Sequence, residues 1–162
     1  MTVLAIDPGS EQSAWVLYDG QRVLGHGIIP NDMMLAHARV NYYLPVVIEE
    51  IASYGMAVGR EVFQTVRWAA KFEQAVLEQR RITGVGAVYY LPRRDVKLHL
   101  CQSARAKDAN VRQALLDRFG GEKAAKGNKA APGPLHGLKK DEWQAAALAV
   151  VWHDLNSKPE DV

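Results

Sequence analysis

The chain has 162 residues, 48% of them apolar and 23% charged, with a net charge of +2, a composition that fits one globular domain with a substantial core. No apolar run is long enough for a bilayer-spanning helix, and the first residues lack the basic-then-apolar layout of a secretory signal, so an intracellular, cytoplasmic setting is expected. Cys101 is the only cysteine, which excludes an intramolecular disulfide and a cysteine-built zinc site.

The apolar run Val3 to Ile6 ends in Asp7. Pro8, Gly9 and Ser10 turn the chain, and a second run, Ala14 to Tyr18, stops at Asp19-Gly20, which is the pattern of strand, turn and returning strand. Arg22 to Ile29 reads as the third strand of an antiparallel meander, broken by Pro30-Asn31-Asp32. Met33 to Tyr43 is compatible with a short helix. Pro45 then precedes Val46 to Ile51, a near-continuous apolar run that suits a central strand covered on both faces. This run also carries acid at its end, Glu49 and Glu50. Successive strand side chains point to opposite faces, so only one of these two can share a site with Asp7.

A glycine-containing loop, Ser53 to Gly59, leads into the longest helix, Arg60 to Arg81. Val62, Phe63, Val66, Ala69, Ala70, Val76 and Leu77 form one broad apolar face, and Trp68, Phe72 and Ala75 form a second stripe. One side is expected to pack on the sheet, leaving the other for a partner subunit, with Glu73 pairing with a neighbouring arginine. Val85 to Leu91 reads as another strand, stopped by Pro92, and Arg93 to Cys101 as a short helix. Asp108 is the expected N-cap of a helix from Ala109 to Phe119, ended by Gly120-Gly121. Residues 122–137, rich in Gly, Pro, Ala and Lys, read as a mobile basic loop outside the core, within a single domain spanning 1–162. His136 in that loop reads as a surface histidine. The closing helix begins near Leu138. Asp141, Ala145, Leu148 and Trp152 fall on one of its faces, so Asp141 is expected to open the stripe that packs on the sheet.

Charge is unevenly spread. Between Arg93 and Lys140 there are twelve Lys or Arg against four acids, Asp95, Asp108, Asp117 and Glu122, a distribution that suits a phosphate backbone. Asp7, one of Glu49 and Glu50, and Asp141 come from three separate elements. Gathered together, such carboxylates repel one another unless a cation sits among them. An oxygen donor set with no cysteine suits Mg2+ better than zinc, above all where a substrate adds phosphate oxygens. Two such ions can activate water and stabilise the leaving oxygen in phosphodiester hydrolysis.

Four segments, VLAIDPGSEQSAWVL, VVIEEIASYGMAVGREVFQTV, KDANVRQALLDRFGG and GLKKDEWQAAALAV, run in the order seen in RuvC-type Holliday junction resolvases of the RNase H-like nuclease superfamily. The chain resembles that family, and its phage-encoded branch most of all, which would set it in a host cytoplasm. The resemblance implies an α/β, RNase H-like fold: a five-stranded mixed sheet, antiparallel meander then parallel strands, flanked by helices. It implies Asp7, Glu49 and Asp141 as catalytic metal ligands for Mg2+, with Mn2+ as substitute and two ions per site. One turn beyond Asp141, where the family often carries another acid, this chain has Gln144, so Glu142 or Glu50 is left to supply a further ligand. The resemblance also implies a homodimer, joined through the Arg60 to Arg81 helix, that binds four-way DNA. It would make symmetric paired nicks and leave 5′-phosphate ends. Arg93, Arg94, Lys97, Arg105, Lys107, Lys123, Lys126, Lys129, Lys139 and Lys140 would contact the DNA. Two other readings fit the same motifs: an RNase H-like nuclease for flaps or RNA–DNA hybrids, and a catalytically inactive RNase H-like DNA-binding protein.

Overall fold

A computed structural model describes residues 1–157. Five strands, β1 (Val3–Asp7), β2 (Gln12–Tyr18), β3 (Val23–Pro30), β4 (Pro45–Glu50) and β5 (Ala87–Pro92), form one sheet in the order β3-β2-β1-β4-β5. The first three make an antiparallel meander, and β4 and β5 add in parallel beside β1. The architecture is α/β with a mixed sheet between helices, as the element order predicts.

The central strands β1 and β4 are apolar on both faces, and each face has its own core. On one face Leu4, Ile6, Val46 and Ile48 meet Met34 and Ala38 of α1 (Asn31–Val40) and Ala69, Phe72 and Val76 of α2 (Arg60–Thr83). On the other, Val3, Ala5, Val16, Tyr18 and Val47 meet α6 (Glu142–Asn156). The glycines of β3 have a packing reason. Trp15 of β2 lies over them, and a Cβ on Gly27 would stand 2.9 Å from Trp15 Nε1, closer than carbon and nitrogen can pack.

Three expectations are corrected. First, α6 does not present one stripe to the sheet: every residue from Glu142 to Trp152 is buried. A helix covered all round must be apolar all round, which the run Ala145 to Val151 satisfies. Its outer side is covered by α3 (Arg93–Cys101), α4 (Asp108–Arg118) and the segment 122–138.

Second, that segment is part of the core rather than a loop outside it. It forms a short helix, α5 (Glu122–Lys126), and buries Ala125 and Leu135 completely. The Leu135 N–H donates to the Ala125 carbonyl and the Val23 N–H to the Pro134 carbonyl, both at 2.8 Å. His136 Nδ1 lies 2.9 Å from the Lys126 carbonyl oxygen, so this histidine is engaged. The composition conceals all this, because one leucine and one alanine anchor a stretch otherwise made of turn residues.

Third, α2 buries Ala69, Phe72, Ala75 and Val76, a strip drawn from both expected stripes. Phe63, Val66 and Ala70 face outward. Glu73 takes a hydrogen bond from the Tyr90 hydroxyl at 2.7 Å instead of pairing with an arginine. At α4 the helix starts one residue earlier than expected, with Lys107 in the N-cap position and its N–H donating to Asn110 Oδ1 at 2.9 Å. No helix among the described residues is long and apolar enough to cross a membrane.

Candidate active site

Three neighbouring parallel strands, β1, β4 and β5, end at the same edge of the sheet. Ile6 is level with Ile48 and Glu49 with Leu91, so the strand ends deliver Asp7, Glu49 and, just past Pro92, Arg93 side by side. The carboxyl ends of parallel strands are where α/β sheets place their ligands. Alternation decides which glutamate takes part. Glu49 follows Val47 by two residues and shares the α6 face with Val3, Ala5 and Asp7, whereas Glu50 belongs to the α2 face with Val46 and Ile48. Glu50 is exposed and borders a shallow pocket with Ile51, Val66, Ala69, Ala70 and Tyr90, which Glu49 also reaches.

A buried polar network fixes the turn that follows Asp7. Ser13 Oγ donates to Asn31 Oδ1 at 2.6 Å, Asn31 Nδ2 donates to the Gly9 carbonyl at 2.9 Å, and the Gly9 N–H donates to Ser13 Oγ at 3.2 Å. Every donor in the ring has an acceptor, which is the condition under which buried polar groups rigidify rather than destabilise. The sequence gives no signal for it: Asn31 reads only as part of a strand break, and Ser13 lies 18 residues away.

Asp7 and Glu49 are both buried, and each acts on the other's proton affinity. Burial holds the Asp7 carboxyl well above its ordinary value, and the charge of Glu49 pushes the same way. Arg93 partly relieves this, while Asp141 adds to it. Glu49 is also raised by burial, eased by the charge and hydrogen bond of Arg93. The Arg93 guanidinium spans the pair, with Nε 3.2 Å from Glu49 Oε1 and Nη2 3.8 Å from Asp7 Oδ1.

Asp141 is exposed rather than buried. Lys140 adopts a left-handed backbone, φ 46°, and the helix starts only at Glu142. The 3.6-residue periodicity, extended one residue too far back, therefore misplaces Asp141. The buried acid is Glu142, which accepts the Lys139 N–H at 2.7 Å and lies 3.0 Å from His26 Nδ1. It thereby ties the start of α6 to β3 instead of facing Asp7 and Glu49. His26 carries no signal in the sequence for this role. Gln144 is buried.

In this arrangement no three His, Cys, Asp or Glu side chains among the described residues converge tightly enough to hold a metal ion. The donor pair itself suits a hard divalent cation. Two buried carboxylates with raised proton affinity need positive charge to stay ionised, and Arg93 provides it here.

Beside the pair opens a cleft of about 780 Å³, lined by Tyr54, Met56, Arg93, Arg94, Lys97, Ala104 and Arg105. Arg93, Arg94, Lys97 and Arg105 thus converge on one cleft, which meets the carboxylates through Arg93. Lys139 and Lys140 are exposed immediately before Asp141, and Lys107 is exposed at the start of α4. Lys123 and Lys129 are exposed on the segment 122–138, where Lys126 pairs with Glu122. These six lysines do not line the cleft.

The fold and the strand-end position of its acids define an α/β protein of RNase H-like, RuvC-like architecture. Among solved structures, RuvC of Thermus thermophilus is similar with a TM-score of 0.61 at 20% identity, over 96% of this chain and 96% of its own. T. thermophilus RuvC in complex with a Holliday junction substrate is similar with a TM-score of 0.61 at 18% identity, over 93% of this chain and 91% of its own. The sequence matches no protein-family model, and no curated protein is similar enough to count as a match. At these identities the likeness establishes the fold.

Proposed function

We propose that this chain is a metal-dependent endonuclease that resolves four-way DNA junctions. One observation carries the reading: a buried carboxylate pair, Asp7 and Glu49, is spanned by Arg93, whose side chain also lines a cleft with Arg94, Lys97 and Arg105, on the fold of a protein solved with a Holliday junction. Asp7 and Glu49 would hold Mg2+ or Mn2+, with Asp141 completing the set from the mouth of α6 and the two-ion arrangement expected of such sites. Bound there, such an ion would supply activation of water and stabilisation of the leaving oxygen, the chemistry that hydrolysis to a 5′-phosphate end would need. The chain's own contribution is positional. The Ser13–Asn31–Gly9 network fixes the turn at Asp7, the strand register sets Glu49 beside it, and the cleft cations seat the DNA through its phosphates. A homodimer formed through the outward stripe of α2, Phe63, Val66 and Ala70, would present two such sites for paired, symmetric nicks. Glu50 and Glu142 are less suited as ligands, the first facing the other side of the sheet and the second engaged by His26.

The test is cleavage of an end-labelled four-way junction with and without Mg2+. The wild type is expected to cut in Mg2+ or Mn2+ and not in EDTA. Asp7→Asn is expected to bind the junction but cut more than about 100-fold slower, beyond the loss that an outer-shell partner causes. Flap and RNA–DNA hybrid substrates belong in the same experiment. Faster cutting of either would reassign the substrate, and no cutting of any substrate by the wild type would leave a DNA-binding protein without nuclease activity.

A further inference from the structure

We propose that Arg93 is a built-in counter-cation that keeps divalent metal off Asp7 and Glu49 until a DNA phosphate draws its side chain into the adjoining cleft. The proposal rests on the nuclease reading and adds to it a means of regulation. Arg93 touches both carboxylates at once, through Nε to Glu49 and Nη2 to Asp7, with its side chain 38% exposed. A guanidinium and a divalent cation cannot occupy the same space between the two acids, and each repels the other. The guanidinium is permanently charged, so a change of pH does not release it. Release requires another anion.

The same side chain also lines the cleft, together with Arg94, Lys97 and Arg105. It is the first residue of α3, directly after Pro92. A change of side-chain rotamer at a helix start therefore suffices to transfer it, with no rearrangement of backbone. Planar guanidinium forks bind phosphate and carboxylate by the same paired geometry, which makes a phosphate a competent competitor. Occupation of the cleft by DNA and of the carboxylate pair by metal are then favoured by one movement. Such coupling is reciprocal: DNA strengthens metal binding by the factor by which metal strengthens DNA binding.

Calorimetric titration of Mn2+ into DNA-free protein tests this on wild type, Arg93→Gln, Arg93→Lys and Asp7→Asn. Arg93→Gln is expected to bind Mn2+ about tenfold more tightly than wild type, within the range usual for coupled sites. Arg93→Lys, which keeps a charge but loses the fork, should fall between them, and Asp7→Asn should lose the binding. A second readout uses only the wild type. Labelling of Arg93 by phenylglyoxal, followed by mass spectrometry, should accelerate several-fold when Mn2+ is added, while the exposed Arg94 serves as internal reference. Equal or weaker Mn2+ affinity in Arg93→Gln, or labelling of Arg93 that ignores Mn2+, would overturn the proposal and leave the metal site standing. No Mn2+ binding by wild type or by either Arg93 variant would overturn the metal site and the proposal together.

Discussion

Asp7 sits in the fold with its proton affinity raised. Burial and the neighbouring Glu49 both raise its proton affinity, against the partial relief of Arg93. The unfolded chain ionises Asp7 at the ordinary carboxylate value, near pH 4. As pH rises from there through the raised native value, the unfolded state gives up its proton first and the native state loses stability. Asp154 has the opposite sign. Burial would raise its carboxyl, but hydrogen bonds from Arg118 and His99 outweigh that and hold it low. Its contribution is present above the ordinary carboxylate value and is lost as pH falls through the lowered one. Metal-free wild type, melted in EDTA, should therefore become less stable as pH rises above the ordinary carboxylate value and through the raised value of Asp7. Asp7→Asn should flatten that slope and melt several degrees higher at the alkaline end. A variant less stable than wild type at pH 8 would contradict this account of Asp7. The position of Asp7 was legible because a strand-ending acid is a local signal; alternation admitted only one of Glu49 and Glu50 beside it, and the choice of Glu49 follows from the register of β4 against β1. The position of Arg93 was not. Its charge marked it for DNA, but its place between two carboxylates depends on where β5 ends relative to β1 and β4, a property of register rather than of sequence.

At the scale of elements, segment 122–138 shows what composition conceals. Glycine, proline and lysine describe a flexible linker, yet Leu135 is completely buried beneath it and α5 is held by backbone hydrogen bonds. Leu135→Ala should cost about 2–5 kcal/mol in urea unfolding, the range for a buried leucine; an exposed loop position would lose no more than about 0.5 kcal/mol. A loss near the lower figure would return the segment to the status of a loop. The strands were legible because uninterrupted apolar runs bounded by turn residues have few other solutions. The helices were legible in place but not in orientation. In α2 both apolar stripes exceed what the sheet can cover, and the choice of Ala69, Phe72 and Val76 as the buried strip follows from where β5 and α1 lie against it. In α6 periodicity loses its meaning because the helix is wrapped on all sides.

Among the described residues, the outward face of α2 carries an apolar stripe. Phe63 is 58% exposed and Val66 44%, one helical turn apart on α2, with Ala70 continuing the line. The nuclease reading needs two active sites to cut two strands symmetrically, and the two-fold contact proposed on this stripe would supply them, because an isologous interface uses the same patch on both copies. A charge placed at its centre would have to be desolvated twice in the dimer, once from each copy, with no partner to offset it. Val66→Glu should therefore convert a dimer into a monomer in light scattering at micromolar concentration, with the circular dichroism spectrum unchanged because the side chain is exposed within one chain. On a cruciform plasmid the functional consequence is distinct from loss of chemistry. Paired cuts across a junction linearise the circle, whereas an uncoupled monomer relaxes it through single nicks. Val66→Glu should shift the product from linear to nicked, while Asp7→Asn should leave the plasmid supercoiled. A wild-type protein that is already monomeric and still linearises the plasmid would remove α2 from the mechanism and require two independent binding events for the paired cut.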